Sequence, residues 1–177
     1  MSTTIVTLHD GICDFLEKEV APRFTLKTVD INGKKSLTKP RIIRTGFLLP
    51  KSIDSEESED EEFPFILPRL RRTENVKNER QALQTLDVHF GVYDPGTYDK
   101  KGKLVDDGSG YRDLWNLIEA TRQAFFATMT IEKRYRVAED FFEADMITDE
   151  IYPYWEGWCR TRWHIVYPRP QLEEHLF

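Results

Sequence analysis

The chain has 177 residues, 40% of them apolar and 12% aromatic, with 31 Asp and Glu against 25 Lys and Arg for a formal net charge of −6. At roughly 100–200 residues per domain this predicts one domain, and a chain of this size buries about 70% of its unfolded surface, which excludes global disorder. No apolar run reaches the ~18 residues that span a bilayer, so no membrane contact is predicted. The opening Met1-Ser-Thr-Thr-Ile-Val lacks the basic and apolar regions of a signal peptide. Cys13 and Cys159 are too few for a disulfide framework or a CxxC site, which favours a reducing compartment.

In chain order, Leu8, Ile12, Phe15, Leu16 and Val20 recur at the spacing of one helical stripe. Thr7 is the expected N-cap, and Pro22 ends the pattern. Residues 28–40, with Asn32-Gly33, read as turn and loop. Ile42 to Leu49 predicts a strand closed by Pro50. Residues 51–62 then hold seven acids (Asp54, Glu56, Glu57, Glu59, Asp60, Glu61, Glu62) against Lys51. Setting that stretch aside leaves 24 acids, 31 less seven, against 24 bases, 25 less one, so the whole net charge lies in one acidic loop.

Phe63 to Arg72 is apolar enough for a strand, but Pro64 and Pro68 each remove a ladder donor, which predicts an edge or bulged position. Leu86 to Tyr93 alternates as a strand with one buried face and a wetter face bearing Asp87 and His89. Residues 94–110 form a projecting hairpin loop over Thr97–Val105, displaying Tyr98, Lys100, Lys101 and Lys103. Tyr111, Leu114, Trp115, Ile118, Phe125 and Met129 fall on one stripe of the longest helix, with Ser109 near its cap and Asp113 in its first turn. Tyr135 to Phe142 is another strand. In the last strand Trp155, Gly157, Cys159, Thr161, Trp163 and Ile165 make one face, while Glu156, Trp158, Arg160, Arg162 and His164 make the other. Residues 168–177 form a C-terminal tail. The expected fold is α+β: a mainly antiparallel or mixed sheet of four to five strands covered by two helices.

No catalytic constellation emerges. His9, His89, His164 and His175 are dispersed without zinc-ligand spacing. Cys159 lies mid-strand on an apolar face, where a buried inert thiol is expected. The acids of residues 94–107 lack the calcium-loop spacing, and no cofactor or metal is predicted. Arg69, Arg71, Arg72, Lys77 and Arg80, with Arg160 and Arg162, form a basic patch of the kind that binds phosphates; the charge balance instead predicts a solvated strand end facing carboxylates of a neighbour or of the acidic loop. Tyr152, Tyr154, Trp155 and Trp158 cannot all point inward from an extended strand, which makes Tyr154, Trp155 and Trp158, with Arg160, Arg162, Arg69, Arg71 and Arg72, candidate residues of a subunit or partner interface.

Phe63-Pro-Phe-Ile-Leu-Pro-Arg-Leu, Gly91-Val-Tyr, Gly110-Tyr-Arg-Asp-Leu-Trp-Asn-Leu-Ile-Glu119 and Tyr152-Pro-Tyr-Trp-Glu-Gly-Trp-Cys-Arg-Thr-Arg-Trp163 together resemble the tail terminator (tail completion) proteins of long-tailed bacteriophages. The likeness runs through residues 63–167, and Thr97–Val105 is longer than the family's usual connection. The resemblance implies a non-enzymatic virion protein, assembled in the host bacterial cytoplasm, that closes into a homo-oligomeric ring of six copies. The ring sits on the head-proximal end of the tail tube, stops polymerisation of the tube protein and meets the head connector or stopper protein. Genome DNA passes through as cargo. The acidic loop then lines the lumen or meets a basic connector surface. The alternatives are another neck protein and a metal-dependent phosphoesterase built on the acidic loop.

Overall fold

The structure, a computed structural model, describes residues 5–29, 35–47, 63–76, 81–148 and 152–166. The first helix, α1, spans Ile5–Glu19 and buries Leu8, Ile12 and Leu16. It starts upstream of the expected Thr7 cap because Ile5 extends the apolar stripe and packs on the core. Pro22 lies in a 3-10 turn, Ala21–Arg23, which ends the helical run.

Residues expected as loop instead form an antiparallel hairpin of β1 (Leu26–Val29) and β2 (Lys35–Thr38), with Leu26 opposite Thr38. Four-residue strands whose main buried anchor is Leu26 carry too little alternation to show in a sequence pattern. Lys27 and Thr28 tie this hairpin to the body: Lys27 Nζ is 2.6 Å from Asp94, and Thr28 Oγ1 donates to the Phe63 carbonyl at 2.7 Å. Its Asn32-Gly33 turn lies outside the described residues. The strand expected over Ile42–Leu49 shortens to β3, Arg41–Ile42, because the chain bends at Thr45 and takes a left-handed conformation at Gly46 (φ +73°).

Four long strands form the body of the main sheet: β4 (Phe65–Asn75), β5 (Gln81–Tyr93), β9 (Tyr135–Met146) and β10 (Tyr154–Val166). With β3 and a two-residue β8 (Thr130–Ile131) the order is β3-β4-β5-β10-β9-β8, antiparallel except for the β3–β4 pair. The fold is α+β as expected, with six strands in the main sheet rather than four to five. Pro68 lies within β4 beyond the reach of β3, at an edge unpaired among the described residues, as expected, while Pro64 precedes the strand and the irregularity of β4, between Leu70 and Thr73, lies away from both prolines. The projecting hairpin pairs β6 (Thr97–Tyr98) with β7 (Leu104–Val105).

Helix α2, Ser109–Thr128, crosses β5, β10 and β9 and buries Leu114, Leu117, Ile118, Thr121, Ala124 and Phe125. Its N-cap is Gly108 at φ 72°, with Ser109 next to it as the first helical residue; Asp113, expected in the first turn, falls beyond it. Gly108 holds the left-handed geometry there, and the Asp107 carboxylate accepts from the Ser109 N–H at 3.0 Å. Helix α1 lies beside α2, with Phe15 stacked on Phe125 at 5.7 Å. It touches β4 through His9 Nε2, 3.2 Å from the Pro68 carbonyl, and meets β8 where Gly11 faces Ile131. One side of the sheet is thereby filled by helices around Trp163, whose indole N–H donates to Thr161 at 2.9 Å.

Candidate assembly surface

The alternation of β10 places side chains as expected. Gly157, Cys159, Thr161, Trp163 and Ile165 are buried against the helices, while Trp158, Arg160, Arg162 and His164 are half-buried on the opposite, open face. Pairing register then brings other strands to them. Asp87 stands opposite Arg160 on β5, Glu143 opposite Arg160 on β9, and Arg69 opposite Asp87 on β4. The result is a transverse row across four strands, Arg69, Asp87, Arg160 and Glu143, alternating in sign.

Asp87, expected on the wetter face, is 4% exposed. Arg160 covers it with two hydrogen bonds, Nε–Oδ1 at 2.7 Å and Nη2–Oδ2 at 3.1 Å, and Arg71 Nε adds a third contact at 3.2 Å. A carboxylate roofed by two guanidinium groups is desolvated but fully compensated, the condition under which burial of a charge is tolerated. The hydrogen bond to Asp87 in turn pushes the Arg160 pKa up. Arg160 also reaches Glu143 at 3.6 Å and lies 5.0 Å from the Trp158 ring, and Arg162 stacks 4.0 Å over Phe141. Arg71, Arg72, Arg160, Arg162 and Phe141 line a groove of about 280 Å³. Arg72 pairs with Glu74 at 3.0 Å. Carboxylates of the sheet itself therefore face Arg71, Arg72 and Arg160, whereas Arg69 has no carboxylate partner among the described residues. Lys77 and Arg80 lie outside them.

The aromatic cluster divides between the two faces. Tyr154 joins an aromatic knot at one end of the open face, with Phe63 at 5.0 Å and Tyr93 at 5.5 Å. Phe63 and Phe65 lie over Gly91, where a side chain would collide with both rings. Trp155 packs on the helix side against Gly110 and, edge-on at 6.5 Å, against Tyr111. Tyr152 is exposed and its hydroxyl donates to the Pro95 carbonyl. Trp158 is thus the member of the cluster presented half-buried on the open face beside the arginines. His89, opposite Trp158, has its pKa pushed down by burial, with Arg69, Arg71 and Arg160 reinforcing the effect.

Lys100, Lys101 and Lys103 are exposed on the projecting hairpin, whose turn is organised by Asp99 accepting from the Lys101 and Lys103 N–H groups, each at 2.8 Å. Tyr98 belongs to β6. The acidic residues Asp54, Glu56, Glu57, Glu59, Asp60, Glu61 and Glu62 lie outside the described residues, as does the C-terminal tail. Cys159 is fully buried with its pKa pushed up by burial, as an inert core thiol should be. Among the described residues no group of three or more His, Cys, Asp and Glu converges as metal ligands, and no described helix is long and apolar enough to cross a membrane. Sequence reasoning named the arginines of the open face but missed Asp87 and Glu143 as their partners. Strand parity put Asp87 on this face, whereas Glu143 lies beyond the strand expected over Tyr135–Phe142, which runs on to Met146; which arginine either acid meets depends on register. No family model and no curated protein matches the chain.

Proposed function

We propose that this chain is a non-enzymatic structural protein of a bacteriophage virion. It forms a ring of six copies that caps the head-proximal end of the tail tube, ends tube polymerisation and joins the tail to the head connector or stopper. The observation that carries the reading is the convergence of the terminator-like motifs. Phe63 and Phe65 lie over Gly91, Tyr93 meets Tyr154, and Gly110 receives Trp155, so the four segments form one continuous framework. That framework supports an open face of paired arginines with Trp158, a composition typical of interface anchors. The protein acts in the virion after assembly in the bacterial cytoplasm, with genome DNA as passing cargo.

Deleting the gene and imaging the particles tests this. Overlong or polydisperse tails without heads are expected; tails of normal length without heads assign the chain to another neck layer. Replacing the seven acids of residues 51–62 with their amides separates the enzymatic alternative, since the loss of a divalent-cation-dependent phosphoesterase activity would replace the structural reading.

A further inference from the structure

The transverse row on the open face has unlike ends. From β4 to β9 the signs run plus at Arg69, minus at Asp87, plus at Arg160 and minus at Glu143. Neighbouring residues strengthen each end. Residues 67–75 of β4 contain Arg69, Arg71 and Arg72 against Glu74, whereas residues 138–146 of β9 contain Glu139, Asp140, Glu143 and Asp145 with no base. Internal pairing leaves this asymmetry in place. Arg69 has no carboxylate among the described residues, and Arg71 shares Asp87 with Arg160. On the other flank Arg136 holds Glu139 at 2.5 Å, while Asp140 and Asp145 have no cation among the described residues. Arg69, Arg71 and Arg72 on the one flank and Arg136, Glu139, Asp140, Glu143 and Asp145 on the other are exposed.

Both flanks are also short of strand partners. β3 pairs only with Phe65 and Ile66 of β4, and β8 only with Tyr135 and Arg136 of β9; among the described residues no strand pairs with the rest of either edge. Continuous backbone zippering is nonetheless obstructed. Pro68 has no N–H, its carbonyl is engaged by His9, and both strands are irregular, β4 between Leu70 and Thr73 and β9 between Val137 and Phe142. Side chains, not backbone, must carry a contact here.

We infer that a second copy of this chain docks its acidic β9 flank against the basic β4 flank of the first, extending the alternating row from Glu143 of one copy to Arg69 of the next. The inference rests on the ring reading above and names the surface that closes the ring. A two-fold edge-to-edge contact would set arginine against arginine or acid against acid. A head-to-tail contact sets opposite signs together at every join, and it is the kind of interface that closes by rotation.

The test uses the full-length chain in sedimentation and negative-stain imaging, with far-UV circular dichroism as the check of folding. Three charge variants are compared with the wild type: Arg69→Glu/Arg72→Glu, Asp140→Lys/Asp145→Lys, and all four together. Each double variant is expected to weaken self-association at least about tenfold and the quadruple variant to restore it, and about 0.5 M salt is expected to weaken the wild-type ring. Should a reversal unfold the chain, the neutral pairs Arg69→Gln/Arg72→Gln and Asp140→Asn/Asp145→Asn are expected to weaken association in the same direction. A wild-type ring indifferent to all these changes, a quadruple variant no better than the worse double variant, or a two-fold dimer overturns the inference while leaving the ring reading standing or altered on its own terms. A wild type that never self-associates, in solution or on tube ends, overturns both.

Discussion

Asp87 and Asp94 are both buried carboxylates, and their surroundings differ in a way that sets what mutation should do. Asp87 is roofed by Arg160 and Arg71. Asp94 is 1% exposed, accepts from Lys27 at 2.6 Å and the Gly96 N–H at 2.8 Å on one oxygen, and leaves Oδ2 without a partner. Replacing Lys27 with Met strands a buried charge, so a loss of about 3 kcal/mol in urea unfolding is expected, with much of it recovered in Lys27→Met/Asp94→Asn. A double variant as unstable as the single one would show that the ion pair is not the cause. His89 supplies a pH dependence. Burial lowers its pKa below the usual 6.5, so the native state binds fewer protons than the unfolded chain in the interval between the two values. Its stability contribution is therefore complete above about pH 6.5 and declines as the pH falls through that value towards the native pKa. Urea midpoints at about pH 7.5 and pH 5.5 should differ more for the wild type than for His89→Gln; parallel losses would assign the dependence to other groups.

Two glycines admit aromatic rings where elements meet. Gly91 in β5 lies under Phe63 and Phe65, and Gly110 at the start of α2 lies against the Trp155 indole. Gly91→Val should overpack the aromatic knot at a cost of about 1–3 kcal/mol, with a changed near-UV circular dichroism band. An unchanged spectrum and midpoint would mean that the knot opens freely. The elements legible in the sequence were the long ones. The 3.6-residue stripes of α1 and α2 and the two-residue alternation of β5 and β10 each repeat often enough to mark a face. The β1–β2 hairpin was not legible, because four-residue strands held by Lys27, Thr28 and Leu26 owe their pairing to contacts elsewhere in the chain. The strand expected over Ile42–Leu49 failed for the converse reason: its apolar residues suggested extension, but pairing with β4 stops after Ile42 and the chain turns at Gly46.

Across the whole molecule the two faces of one sheet serve different ends, and two tryptophans on β10 separate them. Trp163 is fully buried among the helices, with Phe125 at 5.2 Å edge-on. Trp163→Ala should cost about 3–5 kcal/mol of folding stability. Trp158 sits on the open face with Arg160, so Trp158→Ala should cost about 1 kcal/mol or less in folding yet weaken ring assembly by about 2 kcal/mol or more in sedimentation. Equal effects of the two substitutions on folding, or no effect of Trp158→Ala on assembly, would remove the open face from the interface.

Parity and periodicity were enough to sort Trp158, Arg160 and Arg162 from Cys159, Trp163 and Ile165, since a side chain's direction along a strand is a local property. Composition was enough to place the entire −6 in residues 51–62. The order of the strands, the row from Arg69 through Asp87 and Arg160 to Glu143, and the burial of Asp87 came only from the tertiary structure. Each depends on register between segments as distant as Asp87 and Arg160, and a register is chosen by packing of the whole sheet on its helices, which no local pattern encodes.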